Sequence, residues 1–224
     1  NTHSLKDNLS IMERNTMRLL DLTNQLLDFR KTEAQGFQLN FMICDISQLI
    51  KDTYIRFYPA AKQNDLTFKI GLPEQNFNAA VDKEALTKIL SNLFNNAVKY
   101  AKSYIHVSLH APTDEQNDFF SITVSNDGLP IPVEMKEKIF EPFVQIKNVS
   151  NGQTKTGTGI GLPLARSLTE LHRGKLYLKD SDDICFCIEL PIKQEKTILL
   201  QKTEIEKPVN TPTVIRQHQT DTCI

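Results

Sequence analysis

The sequence predicts an α/β fold preceded by one long bundle helix, and three observations lead there. Leu5, Leu9, Met12, Thr16, Leu19, Thr23 and Leu26 recur at alternating steps of four and three, which is a heptad seam. Beyond residue 37 (numbers run 1–224), short alternating segments pair across polar turns. Between them lie apolar stripes of helical period, two of them opened by an aspartate.

The elements follow in chain order. Leu20, Leu22, Leu27 and Phe29 widen the first apolar face from a two-stranded seam toward a bundle helix, so this face needs a partner helix. "EAQGF" at 33–37 ends the helix, with Gly36 as the break. "FQLNFMIC" reads as a strand, and Asp45 caps a helix with Ile46, Leu49, Ile50, Thr53 and Phe57 inward. "LTFKIGL" and "FNAAVD" read as strands around a turn, after which Asp82 caps a second helix. "YIHVSLHA" and "FFSITVSN" form a hairpin about "PTDEQND". Pro163 sits in the first turn of a third helix, where a missing N–H costs nothing, and Gly174 ends it. "KLYLKD" and "DICFCIEL" close the unit as a second hairpin. After Pro191 the pattern fades into a polar, proline-containing stretch that reads as a linker.

Bulk composition excludes some classes. With 26 Lys+Arg against 27 Asp+Glu, nothing suggests a nucleic-acid binder. No apolar run approaches a membrane span and no signal peptide opens the chain, so the segment is expected to be soluble and without membrane contact. Cys44, Cys185, Cys187 and Cys223 lack metal-ligand spacing and fit packing in a reducing compartment.

The helix after Asp82 carries an oddity. Its stripe of Leu86, Ile89, Leu90, Leu93, Phe94, Ala97, Val98 and Ala101 is ordinary core. On its shoulder lie Asn92, Asn95, Asn96 and Lys99, although asparagine is a mediocre helix former. Three further stretches follow: "SNDGLPIP" (125–132) after a strand, "KIFEPFVQ" (138–145), and "TGTGIGL" (156–162) opening a helix. Singly, each is explained by a turn, by core packing or by a solvated face.

In this order they resemble the N, G1, F and G2 boxes of the sensor histidine kinases, within the wider family that includes gyrase, MutL and Hsp90. The resemblance implies an α/β sandwich of the histidine kinase/gyrase/Hsp90 ATP-binding type over 37–193. Residues 1–36, with "LTNQLLDFRKTE", resemble the second helix of the family's dimerisation and phosphotransfer hairpin. It also implies ATP and Mg²⁺ as ligands. Asn92 and Asn96, four apart on one helix face, are then the metal ligands, since amide oxygens suit a Mg²⁺ already held by phosphates and water. Lys99 supplies a point charge for phosphate, Tyr100 lies near the nucleotide, and Asn95 is incidental. Thr156, Gly157, Thr158, Gly159, Ile160, Gly161 and Leu162 form the phosphate loop, whose glycines let backbone N–H groups approach at a helix N-terminus. Phe140 and Phe143 anchor the start of a lid running through "QIKNVSNGQTK".

Two departures qualify the likeness. Where the family's G1 box places an aspartate that accepts from the adenine amino group, this chain has Asn126, followed by Asp127 and Gly128, with Pro130 at the second glycine. Asn126 keeps an acceptor oxygen, so adenine reading survives without charge assistance. The family's phosphoacceptor histidine has no counterpart: His3, His106, His110, His172 and His218 read as surface or strand-face residues. The first helix of the hairpin is therefore expected to lie outside this chain.

The reading is a protein-histidine kinase module. Its rivals are an ATP-hydrolysing clamp of the gyrase/MutL type and a degenerate, non-catalytic interaction module. The clamp enzymes place a glutamate at the position of Asn92, and an amide cannot act as a general base. The expected parent is a homodimer through the leading helix, the cytoplasmic part of a membrane-anchored hybrid sensor. Residues 194–224 would lead toward a receiver domain that takes the phosphoryl group.

Overall fold

A computed structural model describes residues 2–34, 38–112, 118–146 and 157–194. Helix α1 (Thr2–Glu33) comes first. Strand β1 (Met42–Asp45) leads into α2 (Ile46–Gln63), where the Asp45 carboxylate accepts from the Gln48 N–H at 3.0 Å. Strands β2 (Thr67–Gly71) and β3 (Asn78–Val81) precede α3 (Lys83–Tyr100), where Asp82 accepts from the Ala85 N–H at 2.9 Å. Each aspartate satisfies a first-turn donor that the helix itself leaves open. Strands β4 (Tyr104–His110) and β5 (Phe119–Asn126) follow, then α4 (Gly161–Leu171), β6 (Lys175–Lys179) and β7 (Ile184–Pro191).

A five-stranded sheet has the order β2-β4-β5-β7-β6, antiparallel except where β2 pairs with β4. The period of two puts Ile105, Val107, Leu109, Phe120, Ile122 and Val124 on one face, all buried. Helices α2, α3 and α4 cover that face, with Phe94 of α3 edge-on to Phe68 at 5.5 Å and to Phe57 at 5.8 Å. His106 and His110 lie exposed on the opposite face. The result is the expected two-layer α/β sandwich.

Several local expectations are corrected. β2 and β3 do not pair with each other; β2 joins the main sheet, while β3 pairs antiparallel with β1 in a separate two-stranded sheet. "FQLNFMIC" is strand only from Met42 onward. α4 ends at Leu171, and the left-handed residue that follows it is Arg173, with φ 60°. Gly174 is needed because a Cβ there would lie 2.2 Å from the Glu189 carbonyl oxygen of β7. The expected break at Gly36 and the linker at 195–224 lie outside the described residues. Gln194, placed with that linker, is buried and donates to the His172 carbonyl at 2.8 Å.

Helix α1 meets the sandwich through its last turns. Phe29 is buried in the common core, and Asp28 pairs with Lys88 of α3 at 2.6 Å. Burying a phenylalanine is worth about 1.5–3 kcal/mol, more than a part-exposed ion pair contributes. Further up, Leu9, Met12 and Leu19 are 57%, 65% and 64% exposed. The seam that reads as needing a partner helix is thus open to solvent in the single chain.

His172 is not a surface histidine. It is fully buried at the end of α4, its Nδ1–H donating to the Leu168 carbonyl at 2.7 Å and its Nε2 accepting from the Asp82 N–H at 3.2 Å. A carbonyl only accepts and an N–H only donates, so the ring is neutral with its proton on Nδ1. Burial lowers its pKa, outweighing the two backbone bonds and the Asp82 charge, which pull upward. A folded pKa below the unfolded value of about 6.5 means the stabilisation is complete above that pH and is lost as pH falls through the folded value. The urea midpoint should be level above about pH 7 and decline in mild acid, and His172→Gln should flatten that decline. An unchanged acid slope in the variant would assign the effect to other groups.

Candidate functional site

The rotation of α3 is set by its core stripe. Leu86, Ile89, Leu90, Leu93 and Phe94 are fully buried, which leaves Asn92, Asn96 and Lys99 half-buried along one shoulder and Asn95 exposed. The loop ahead of α4 lies across that shoulder. A Cβ on Gly161 would stand 2.9 Å from the Asn92 Oδ1, and one on Gly157 would stand 3.0 Å from the Lys99 Nζ and 3.9 Å from the Tyr100 hydroxyl. Lys99 also sits 4.7 Å from the centre of the Tyr100 ring. The structure therefore brings together Asn92, Lys99, Tyr100, Gly157 and Gly161.

Two threads hold the loop in place. Gly159 has φ +70°, where a Cβ would meet the Phe143 Cα at 2.7 Å, and the Phe143 N–H donates to the Gly159 carbonyl at 2.8 Å. Gln145 Nε2 donates to the Gly157 carbonyl at 2.8 Å. Thr158 Oγ1 accepts from the Ile160 N–H at 3.2 Å and meets the Gln25 Oε1 of α1 at 3.4 Å. Ile160 is buried and Leu162 packs against the core, so these two support the loop from beneath. Phe140 is an anchor, buried edge-on to Phe186 at 6.2 Å with the Arg166 guanidinium 3.9 Å from its ring centre. The Phe143 side chain is not, being 64% exposed; its backbone makes the attachment. Thr156 and the expected lid at 147–156 lie outside the described residues.

Against the C-terminal end of α3 stands the Asn126 turn. Asn126 continues the inward stripe of β5 and is 2% exposed. Its Oδ1 accepts from the Gly128 N–H at 3.0 Å. A Cβ on Gly128 would lie 2.9 Å from the Tyr100 carbonyl oxygen, which brings this turn against the end of α3.

Sequence reasoning missed Asp127. Its carboxylate accepts from the backbone N–H groups of Lys102, Ser103 and Tyr104 at 3.0, 3.0 and 3.2 Å and from the Ser103 hydroxyl at 2.5 Å. Partial burial pushes its pKa up, but the bonds from Ser103, Tyr104 and Lys102 together hold it well below the usual carboxylate range. Beside it the Tyr104 hydroxyl donates to Asp183 at 2.5 Å, a bond that with partial desolvation and the nearby charges pushes its pKa up to about 12. The signal available was an acidic residue directly after Asn126, but its partners lie 23 to 25 residues upstream.

Chemically, the described residues offer here the Lys99 cation, neutral amide oxygens, and backbone N–H groups at the start of a helix. Among the described residues no group of three His, Cys, Asp or Glu could hold a metal by itself. A divalent ion here would need oxygens from a bound ligand. No helix among the described residues is long and apolar enough to cross a membrane.

The fold is an α/β sandwich in which a glycine loop, a lysine and asparagine side chains meet over one helix shoulder. The chain matches the family described as "Histidine kinase-, DNA gyrase B-, and HSP90-like ATPase" over residues 81–194, and it belongs to that family. "Sensor histidine kinase TmoS" of Ectopseudomonas mendocina is 32% identical over 210 residues, covering 91% of this chain and 21% of TmoS. "Histidine kinase P4" of Formosa agariphila is 31% identical over 188 residues, covering 82% of this chain and 14% of that protein. The chain thus spans about a fifth or less of the length of these relatives. Full-length ShkA in complex with AMPPNP superposes with a TM-score of 0.72 at 21% identity, over 83% of this chain and 38% of ShkA, a likeness of fold. The domain is homologous to the catalytic domains of sensor histidine kinases, which favours that branch over the gyrase/MutL one.

Asp127→Ala removes the acceptor for three backbone donors and should lower stability by about 1–2 kcal/mol, with Asp127→Asn recovering part of it. Urea unfolding at neutral pH measures both. A fully stable alanine variant would mean that water replaces the carboxylate without cost.

Proposed function

We propose that this chain is the ATP-binding catalytic module of a sensor histidine kinase. The γ-phosphoryl group of ATP leaves the β-phosphate oxygen, bonds to an imidazole nitrogen on a helix outside this chain, and ADP remains. The observation that carries this reading is the glycine loop lying on the α3 shoulder, with Gly161 against Asn92 and Gly157 against Lys99. That approach lets the loop's N–H groups and the Lys99 charge face the phosphates together.

The roles follow from the cleft. Asn92 and Asn96 would hold Mg²⁺ through their amide oxygens, completed by phosphate and water. The ion would supply charge neutralisation at the phosphates. Tyr100 and Gly128 line the nucleotide, Asn126 meets the base, and Phe140 fixes the segment that leads to the lid. Asn92 is an amide, so this position offers no base to turn ATP onto water. His172 has both ring nitrogens engaged in the core, which argues against it as acceptor.

In the parent, residues 1–36 form the second helix of a dimerisation hairpin, 37–193 the catalytic domain, and 194–224 a linker toward a receiver domain. The exposed seam of α1 supports pairing as a homodimer. The setting is the cytoplasmic part of a membrane-anchored sensor.

Incubated alone with Mg²⁺ and γ-labelled ATP, the chain should bind nucleotide but leave the label on ATP. A second protein carrying the missing helix, with its own nucleotide site disabled, should acquire acid-labile label. Asn96→Ala should abolish that transfer. Rapid phosphate release that disappears in Asn96→Ala would place the protein among the hydrolytic clamps instead. Acid-labile label on the chain alone would make one of its five histidines the acceptor.

A further inference from the structure

Asn126 is placed where a base would be read, and its amide has a fixed orientation. The Gly128 backbone N–H can only donate, so the side-chain atom 3.0 Å from it is the oxygen. The flank of Gly128 beside that oxygen is closed: a Cβ there would stand 2.7 Å from Oδ1, 2.9 Å from the Tyr100 carbonyl and 3.0 Å from Ile184 Cδ1. One of the oxygen's two lone pairs is therefore taken by its own turn, and the NH₂ end points away from that turn. Among the described residues Asn126 makes no second side-chain hydrogen bond, and no fully buried side-chain nitrogen or oxygen lacks a partner. Nδ2 is accordingly not sealed off and is the end of the amide that a ligand at the end of β5 would meet, although the residue is 2% exposed.

The neighbouring carboxylate offers no acceptor in its place. Asp127 is turned to the other side of the strand end, bonded to Lys102, Ser103 and Tyr104. What the unbonded end of the Asn126 amide offers a purine is a donor. A 6-amino purine presents a donor of its own at that edge, while a 6-oxo purine presents an acceptor. Two donors facing each other leave both unpaired in a buried corner, which a site built for hydrogen bonding penalises.

We propose that the base corner formed by Asn126 accepts 6-oxo purine triphosphates, of the guanine or hypoxanthine type, at least as well as ATP. This rests on the reading of Asn126 as the residue that meets the base. Selectivity for the amino group, which a carboxylate would enforce, is relaxed by an amide whose oxygen is held in its own turn.

Calorimetry on the full chain with Mg²⁺–ATP and Mg²⁺–ITP tests this, since the two bases differ in the 6-substituent and the N1 proton alone. ITP should bind within about threefold of ATP or more tightly. In Asn126→Asp the carboxylate can still accept from Gly128 with one oxygen and offers the other to the base. The affinity ratio should then swing toward ATP by about tenfold or more. Parent chain binding ATP more than about tenfold tighter than ITP would overturn the proposal while leaving the kinase reading intact. An Asn126→Asp variant with an unchanged ratio would also overturn it, by removing residue 126 from base reading. Binding of neither nucleotide would instead overturn the nucleotide-binding reading, and this inference with it.

Discussion

The close approach of the 157–161 loop to the polar shoulder of α3 is the constraint on which the rest depends. A side chain at Gly157 or Gly161 would occupy the space in which Lys99 and Asn92 stand. Backbone N–H groups, a lysine charge and amide oxygens can converge on one polyanion only if that space stays clear. The fold is organised around this contact. Asp82 fixes where α3 begins, the core stripe fixes its rotation, and Ile160 and Leu164 seat the start of α4 in the same core.

The second layer of the design ties the cleft to its surroundings. Phe143 and Gln145 bind the 157–161 loop by its carbonyls, so that loop and the segment leading toward residue 147 are joined without a ligand. Gln25, Asp28 and Phe29 join α1 to the same region. A change in the pose of α1 would thus be felt first at Thr158 and Lys88. Asp127 does comparable work at the base end, holding the start of β4 to the end of β5 so that Tyr100 and Gly128 stay opposed.

What was legible in the sequence was local. Aspartate caps, the stripe of α3 and the two hairpins rest on residues a few positions apart, and they form as read. The partnering of β2 and β3 was not legible, because both are short and each pairs with a strand chosen by the whole sheet. Gly157, Gly159 and Gly161 read as one phosphate loop, whereas the structure gives them different individual reasons: two clear space for side chains, one adopts a positive φ against Phe143. Asp127 read as part of a departure from a pattern, since its partners lie 23 to 25 residues upstream. The contact between Thr158 and Gln25 spans 133 residues and left no local trace. Buried His172 was misread for the same reason: its second partner is Asp82, across the fold.

The most direct test of the central claim is the affinity of Gly161→Ala for Mg²⁺–ATP. Alanine suits the first turn of a helix, so the fold has no reason to weaken. Its methyl group would press on the Asn92 oxygen at 2.9 Å and displace the amide from the phosphate side of the cleft. The account predicts a melting temperature equal to or above the parent's and an affinity lower by about tenfold or more, about 1.4 kcal/mol. A variant that binds Mg²⁺–ATP as tightly as the parent would contradict it, because the close approach would then be incidental to the ligand.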